Sequence, residues 1–87
     1  MAARCVMLTA SGSVKSTSGL LVAVALTHSD AAQISVKDGG SSGTEIVGLR
    51  LAGAGSVVFA PALPIAFSSL YVTVDAGTAP EVAVAYV

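Results

Sequence analysis

Apolar and polar positions along this chain recur with a period of two, in short runs broken by glycine, serine and proline. The clearest run is Leu20-Leu21-Val22-Ala23-Val24-Ala25-Leu26, bounded by Gly19 and Asp30. Alternation puts Leu20, Val22, Val24 and Leu26 on one face and Leu21, Ala23, Ala25 and Thr27 on the other. Alanine and leucine favour a helix, but the run is short and alternates large with small, so it reads as a strand with both faces covered. Ile34 to Lys37 and Thr44 to Leu51 are rich in β-branched residues and flank Asp38-Gly39-Gly40-Ser41-Ser42-Gly43. That centre accepts positive φ and caps its own turn, which predicts a β-hairpin with a loop longer than the tightest type. In the second arm Val47, Leu49 and Leu51 face the core while Ile46, Gly48 and Arg50 face away. Gly48 reads as a bulge or a close approach by another segment.

The remaining runs are shorter. Ser56 to Phe59 is a strand. Pro61-Ala62-Leu63-Pro64 cannot lie inside a sheet, because proline has no N–H to donate; it reads as an apolar crossing between sheets that leads into extended Ile65-Ala66-Phe67. Leu70 to Asp75 sets Leu70, Val72 and Val74 inward. Glu81 to Val87 sets Val82, Val84 and Tyr86 against Glu81, Ala83, Ala85 and Val87. Ala3 to Leu8 is a first strand or an arm, followed by turns at Ser11-Gly12-Ser13 and Ser16 to Gly19, so residues 1–18 form an extended arm or an edge strand. No segment holds a 3.6-residue period for three turns. Turn signals recur roughly every eight to twelve residues, which predicts one all-β domain over residues 1–87, a small antiparallel β-sandwich or jelly-roll-like barrel.

Composition adds a surface problem. A chain of 8.5 kDa should expose about 4,600 Å² when folded, and a domain of this size is marginal without a disulfide, a metal or oligomerisation. Cys5 is the sole cysteine and His28 the sole histidine, so neither an intramolecular disulfide nor a histidine-rich metal site is available. Charged residues make up 10% of the chain, against about 25% in an average domain. Much of the surface is therefore alanine, valine, glycine, serine and threonine, and a subunit of an assembly would hide it. Arg4, Lys15, Lys37 and Arg50 are scattered and the net charge is −1, which leaves no footprint for nucleic acid. The longest apolar run falls far short of a membrane span. The first residues do not read as a signal peptide, so the chain is expected to be made and kept in the cytoplasm.

Candidate chemistry is sparse. His28-Ser29-Asp30 holds the residue types of a hydrolase triad, but neighbours in sequence cannot supply its geometry, and a polar turn is the better reading. His28 and Asp30 lack partners at metal-ligand spacing. The glycine-rich loop at Asp38 to Thr44 has no lysine and no following helix, and Gly53-Ala54-Gly55 likewise precedes no helix, so neither is a phosphate or dinucleotide loop. Cys5 has no base nearby, and Glu45 and Glu81 look like exposed strand-edge residues rather than an acid–base pair. No enzymatic activity, cofactor or metal is expected.

Four pieces of the chain carry a resemblance: Gly19-Leu20-Leu21-Val22; Val36-Lys37-Asp38-Gly39 with Gly43-Thr44; Val58-Phe59 and Pro64-Ile65-Ala66-Phe67, leading to Leu70-Tyr71-Val72-Thr73-Val74; and Pro80-Glu81-Val82-Ala83-Val84-Ala85-Tyr86. Together they resemble small β-rich virion proteins of tailed bacteriophages, of the capsid cement or decoration type. That resemblance implies a sandwich or jelly roll at the capsid surface of the virion. Its implied partners are the major capsid protein and copies of itself, as a homodimer or homotrimer. It supplies no catalytic residues. The expected contact residues are Arg4, Val6 and Leu8 in the N-terminal segment and Pro61, Leu63, Pro64, Ile65 and Phe67 in the crossing, with outer edge strands available for strand addition. The competing readings are a tail or head–tail structural subunit and a receptor- or carbohydrate-binding module of a virion.

Overall fold

Period-two alternation needs a surface to pair with and a core to face, and the chain supplies both by doubling back on itself. The computed structural model describes residues 3–87. Nine strands follow in order: β1 (Arg4–Leu8), β2 (Gly12–Lys15), β3 (Gly19–His28), β4 (Ala32–Asp38), β5 (Thr44–Leu51), β6 (Gly55–Phe59), β7 (Ile65–Phe67), β8 (Leu70–Ala76) and β9 (Glu81–Tyr86). One sheet runs β1-β9-β3-β6, with β7 paired beside the start of β3; the other runs β2-β8-β4-β5. Every pairing is antiparallel.

The pairings are nested: β4 with β5, β3 with β6 and β7, β2 with β8, β1 with β9. The chain is thus one long two-stranded ribbon, hinged at the β4–β5 loop, whose successive rungs fall alternately in the two sheets. That is the strand order of a jelly roll. The sandwich predicted from alternation is present, and its accessible surface of 4633 Å² matches the area expected from its mass.

The core is aliphatic. Leu21, Val24, Leu26, Val82 and Val84 from the first sheet meet Ile34, Val36, Leu70 and Val72 from the second, all at 0% exposure. Phe67 and Tyr86 close one end, where Lys15 Nζ lies 5.8 Å from the centre of the Tyr86 ring. The predicted inward sets of β8 and β9 point as expected.

Three departures from simple alternation have one cause, an extra residue in one strand of a pair. In β3 the pairing with β9 steps from Leu21 to Ala23, so Val22 is bulged. Leu21 therefore joins Val24 and Leu26 in the core, and Leu20, expected beside them, turns out to 40% exposure. In β5 the bulged residue is Ile46, between Glu45 and Val47. Gly48 pairs normally with Ser35, and a side chain there would meet nothing nearer than 3.7 Å; the irregularity expected at Gly48 lies two residues earlier. The third departure is β2. Its Gly12 and Ser13 read as a turn, yet they pair with Val72 and Tyr71, Val14 bulges onto the core, and Ser11 Oγ accepts from the Val74 N–H at 2.8 Å. Residues 4–15 thus supply an edge strand to each sheet.

The hinge loop is tied down. Asp38 Oδ1 accepts from the Ser68 and Ser69 N–H groups at 2.8 and 3.2 Å, and the Gly39 N–H donates to the Ser69 carbonyl. Gly43 donates to the Gly40 carbonyl at 3.0 Å. A Cβ on Gly43 would stand 2.1 Å from the Asp38 carbonyl oxygen, so only glycine fits that turn.

Two glycine substitutions separate these environments. Gly43→Ala should lower unfolding free energy by about 2 kcal/mol or more, because backbone must move. Gly48→Ala should raise it by about 0.5–1 kcal/mol, the ordinary gain for filling a strand glycine. Urea unfolding followed by circular dichroism measures both; equal effects would refute the assigned hairpin geometry.

Candidate functional site

The polar residues singled out in the sequence fall in two places. His28 and Ser29 lie where β3 ends, and with Thr27, Ala79 and Glu81 they line an open depression of about 380 Å³. Asp30 turns away: its Oδ1 accepts the Ala31 N–H at 2.8 Å, the local turn bond its position predicted. Among the described residues no hydrogen bond joins His28, Ser29, Asp30 or Glu81 to one another, so no nucleophile is aligned with a base. Glu45 sits on β5 in the other sheet from Glu81. No group of three or more His, Cys, Asp or Glu side chains comes together among the described residues. No described helix is long and apolar enough to cross a membrane.

The outer face of the second sheet is polar. It carries Tyr71, Thr73 and Ser35, and the bulge that leaves Asp75 unpaired between Val74 and Ala76 lets its carboxylate accept the buried Ser35 hydroxyl. Thr73 Oγ1 beside them is enclosed without a hydrogen-bond partner among the described residues.

The outer face of the first sheet is the opposite. Its pairings set cross-strand rows. Met7, Ala83, Ala25 and Val58 form one row, and Cys5, Ala85 and Ala23 the next. Leu20 and Ala66 continue it at one end, while Glu81, Thr27 and Ser56 bound it at the other. Between those limits no charged residue among the described ones belongs to the outward set. Met7 and Val58 are 59% and 63% exposed.

The expected contact residues divide accordingly. On β1, Val6 and Leu8 point inward and are half-buried against the core, so the outward positions are Cys5 and Met7. Arg4 shares the inward register of Val6 and Leu8 but is exposed at the strand's start. In the crossing, Phe67 is a core residue and Ile65 packs beside it; Pro61 is half-buried, Pro64 is exposed, and Leu63 stands out at 79%. Met7 and Val58 went unread because each sits next to apolar neighbours that face the core. The paired alanines, Ala23 with Ala25 and Ala83 with Ala85, were the available signal: two adjacent strands each giving one face entirely to small apolar residues.

By fold and surface the chain is a charge-poor jelly-roll sandwich with one polar and one apolar outer face. No family model, curated protein or solved structure matches it.

Thr73→Val removes the unpaired hydroxyl at nearly constant volume and should stabilise the fold by about 1 kcal/mol. Thermal and urea unfolding would show it; a loss of stability would mean that the hydroxyl is bonded in solution.

Proposed function

We propose that the chain is a non-enzymatic structural virion subunit, a cement or decoration protein that binds at capsomer junctions on a tailed-phage capsid and stabilises the shell. The observation that carries the reading is the exposed apolar wedge at Leu63. It projects between Pro61 and Pro64 from an otherwise charge-poor jelly roll. Two prolines restrict the loop before binding, so little conformational entropy is lost when the leucine enters a crevice. The sequence resemblance to decoration proteins supports it.

Adhesion of this kind works by linkage. A subunit that binds only where capsomers meet in the expanded shell favours that state over separated capsomers by its binding free energy. Copies repeated over the shell make weak individual contacts sufficient through avidity. The partners under this reading are the major capsid protein and other copies of the chain.

Cryo-EM of the particle should show this chain at capsomer junctions, and density confined to the tail would overturn the reading. Leu63→Asp should leave unfolding free energy within about 0.5 kcal/mol, as for an exposed side chain. The same change should weaken binding to expanded shells at least about tenfold, the scale of losing one buried apolar contact. Co-sedimentation with shells measures that directly.

A further inference from the structure

We propose that the outer face of the first sheet is a self-association face, on which a second copy of this chain stacks to form a two-fold dimer. The inference rests on one part of the capsid reading, that copies of the chain are partners, and adds which face they share; its test uses the free chain in solution, so it can fail while capsid binding holds. It rests on the rows set by the β1-β9-β3-β6 pairings.

Three properties of the face select a second copy as its occupant. The first is charge. The chain's nine charged residues leave this face without one between the Glu81 row and Leu20, so nothing on it would recognise a charged partner. A two-fold interface must tolerate each group meeting its own kind, and a neutral apolar face does so without repulsion. The second is area. Strands of five, six, ten and five residues set about 4.8 Å apart give a face of roughly 400 Å², so two faces closing together remove about 800 Å², the scale of a weak, reversible dimer. The third is entropy. Ala23, Ala25, Ala83 and Ala85 occupy the centre, and alanine has no rotamer freedom to lose on association. The flanking side chains that become ordered are Cys5, Met7, Leu20 and Val58.

The face also resolves the reading of β3. Its sequence is apolar on both sides, as in a strand covered twice, yet a single chain covers only the side bearing Leu21, Val24 and Leu26. The dimer covers the other.

Mass measurement of the full chain across the micromolar range, with reductant present, tests the proposal. The expected species is a reversible dimer of twice the 8.5 kDa chain mass. A monomer throughout the range, or a trimer, overturns it. Ala83→Asp places two carboxylates in the dehydrated centre and should weaken the dimer at least about 100-fold. Met7→Lys lies on an edge strand, where lysine is readily accommodated, and decides the matter if Ala83→Asp fails to fold. Gln33→Lys on the opposite sheet should leave the mass unchanged. A dimer that persists in both face variants, or is lost in Gln33→Lys, refutes the assigned face. Cys5, exposed and outward on β1, gives an independent readout. Its reaction with a thiol reagent should slow by about tenfold as the dimer forms, because thiol reactivity follows access. Unchanged reactivity in the dimer would place the contact elsewhere.

Discussion

The structure depends on a single reversal of chain direction at the β4–β5 hairpin. Once the chain doubles back there, the partner of each later strand is fixed by how far it lies from the loop. β6 and β7 return along β3, β8 along β2, and β9 along β1. Slippage of the hairpin by one residue would exchange core and solvent faces along the whole ribbon. The restraints concentrated at the loop act against that. Gly43 admits no side chain, and Asp38 holds the backbone of Ser68 and Ser69 just before β8, a strand that also pairs with β4. The loop is therefore clamped from two directions, by its own turn and by the neighbouring strand.

Much of this was legible in the sequence because strands with one face in a core must alternate. β4 and β9 do so, as do β5 beyond Ile46 and β8 as far as Val74, and the glycines between β4 and β5 named their turn. Two kinds of feature were not legible. Bulges leave no local mark: nothing in Leu21-Val22-Ala23 says that Val22 is the extra residue, because the choice is made by registry with β9. β2 was hidden for a related reason, since glycine and serine have little intrinsic strand preference and its pairing is imposed by β8 and by Ser11. For the contact residues the difficulty was direction. Hydrophobicity identified β1 and the crossing, yet Val6, Leu8 and Phe67 were spent on the core, while Leu63, Met7 and Val58 remained outside.

The two outer faces also show how a chain with so few charges divides its polar groups. Hydroxyls and carboxylates gather on the β2-β8-β4-β5 sheet, where Ser35 and Asp75 satisfy each other. The β1-β9-β3-β6 sheet carries alanine at its centre instead. Alanine is a compromise in this position: it presents little apolar area to water in a single chain, yet permits close approach when the face is covered. Leucine or valine in the same places would give a stronger contact and a more aggregation-prone monomer.

Whether such a subunit associates by its faces or by its edges follows from the state of those edges. Strand addition needs a long, regular row of free N–H and C=O groups. β2 has four residues and a bulge at Val14, and β5 is bulged at Ile46 close to its start. The opposite edge of the first sheet is divided between β6 and three-residue β7, with the proline-bearing crossing between them. Only β1 offers an uninterrupted edge, and it is five residues long. Three of the four edges are thus shaped against strand addition, whereas the alanine face is continuous across four strands. Stacking of faces satisfies no backbone group and so needs none to be free. The same bulges that pack Val14 against the core and set the β4–β5 register also make those two edges poor templates for strand addition.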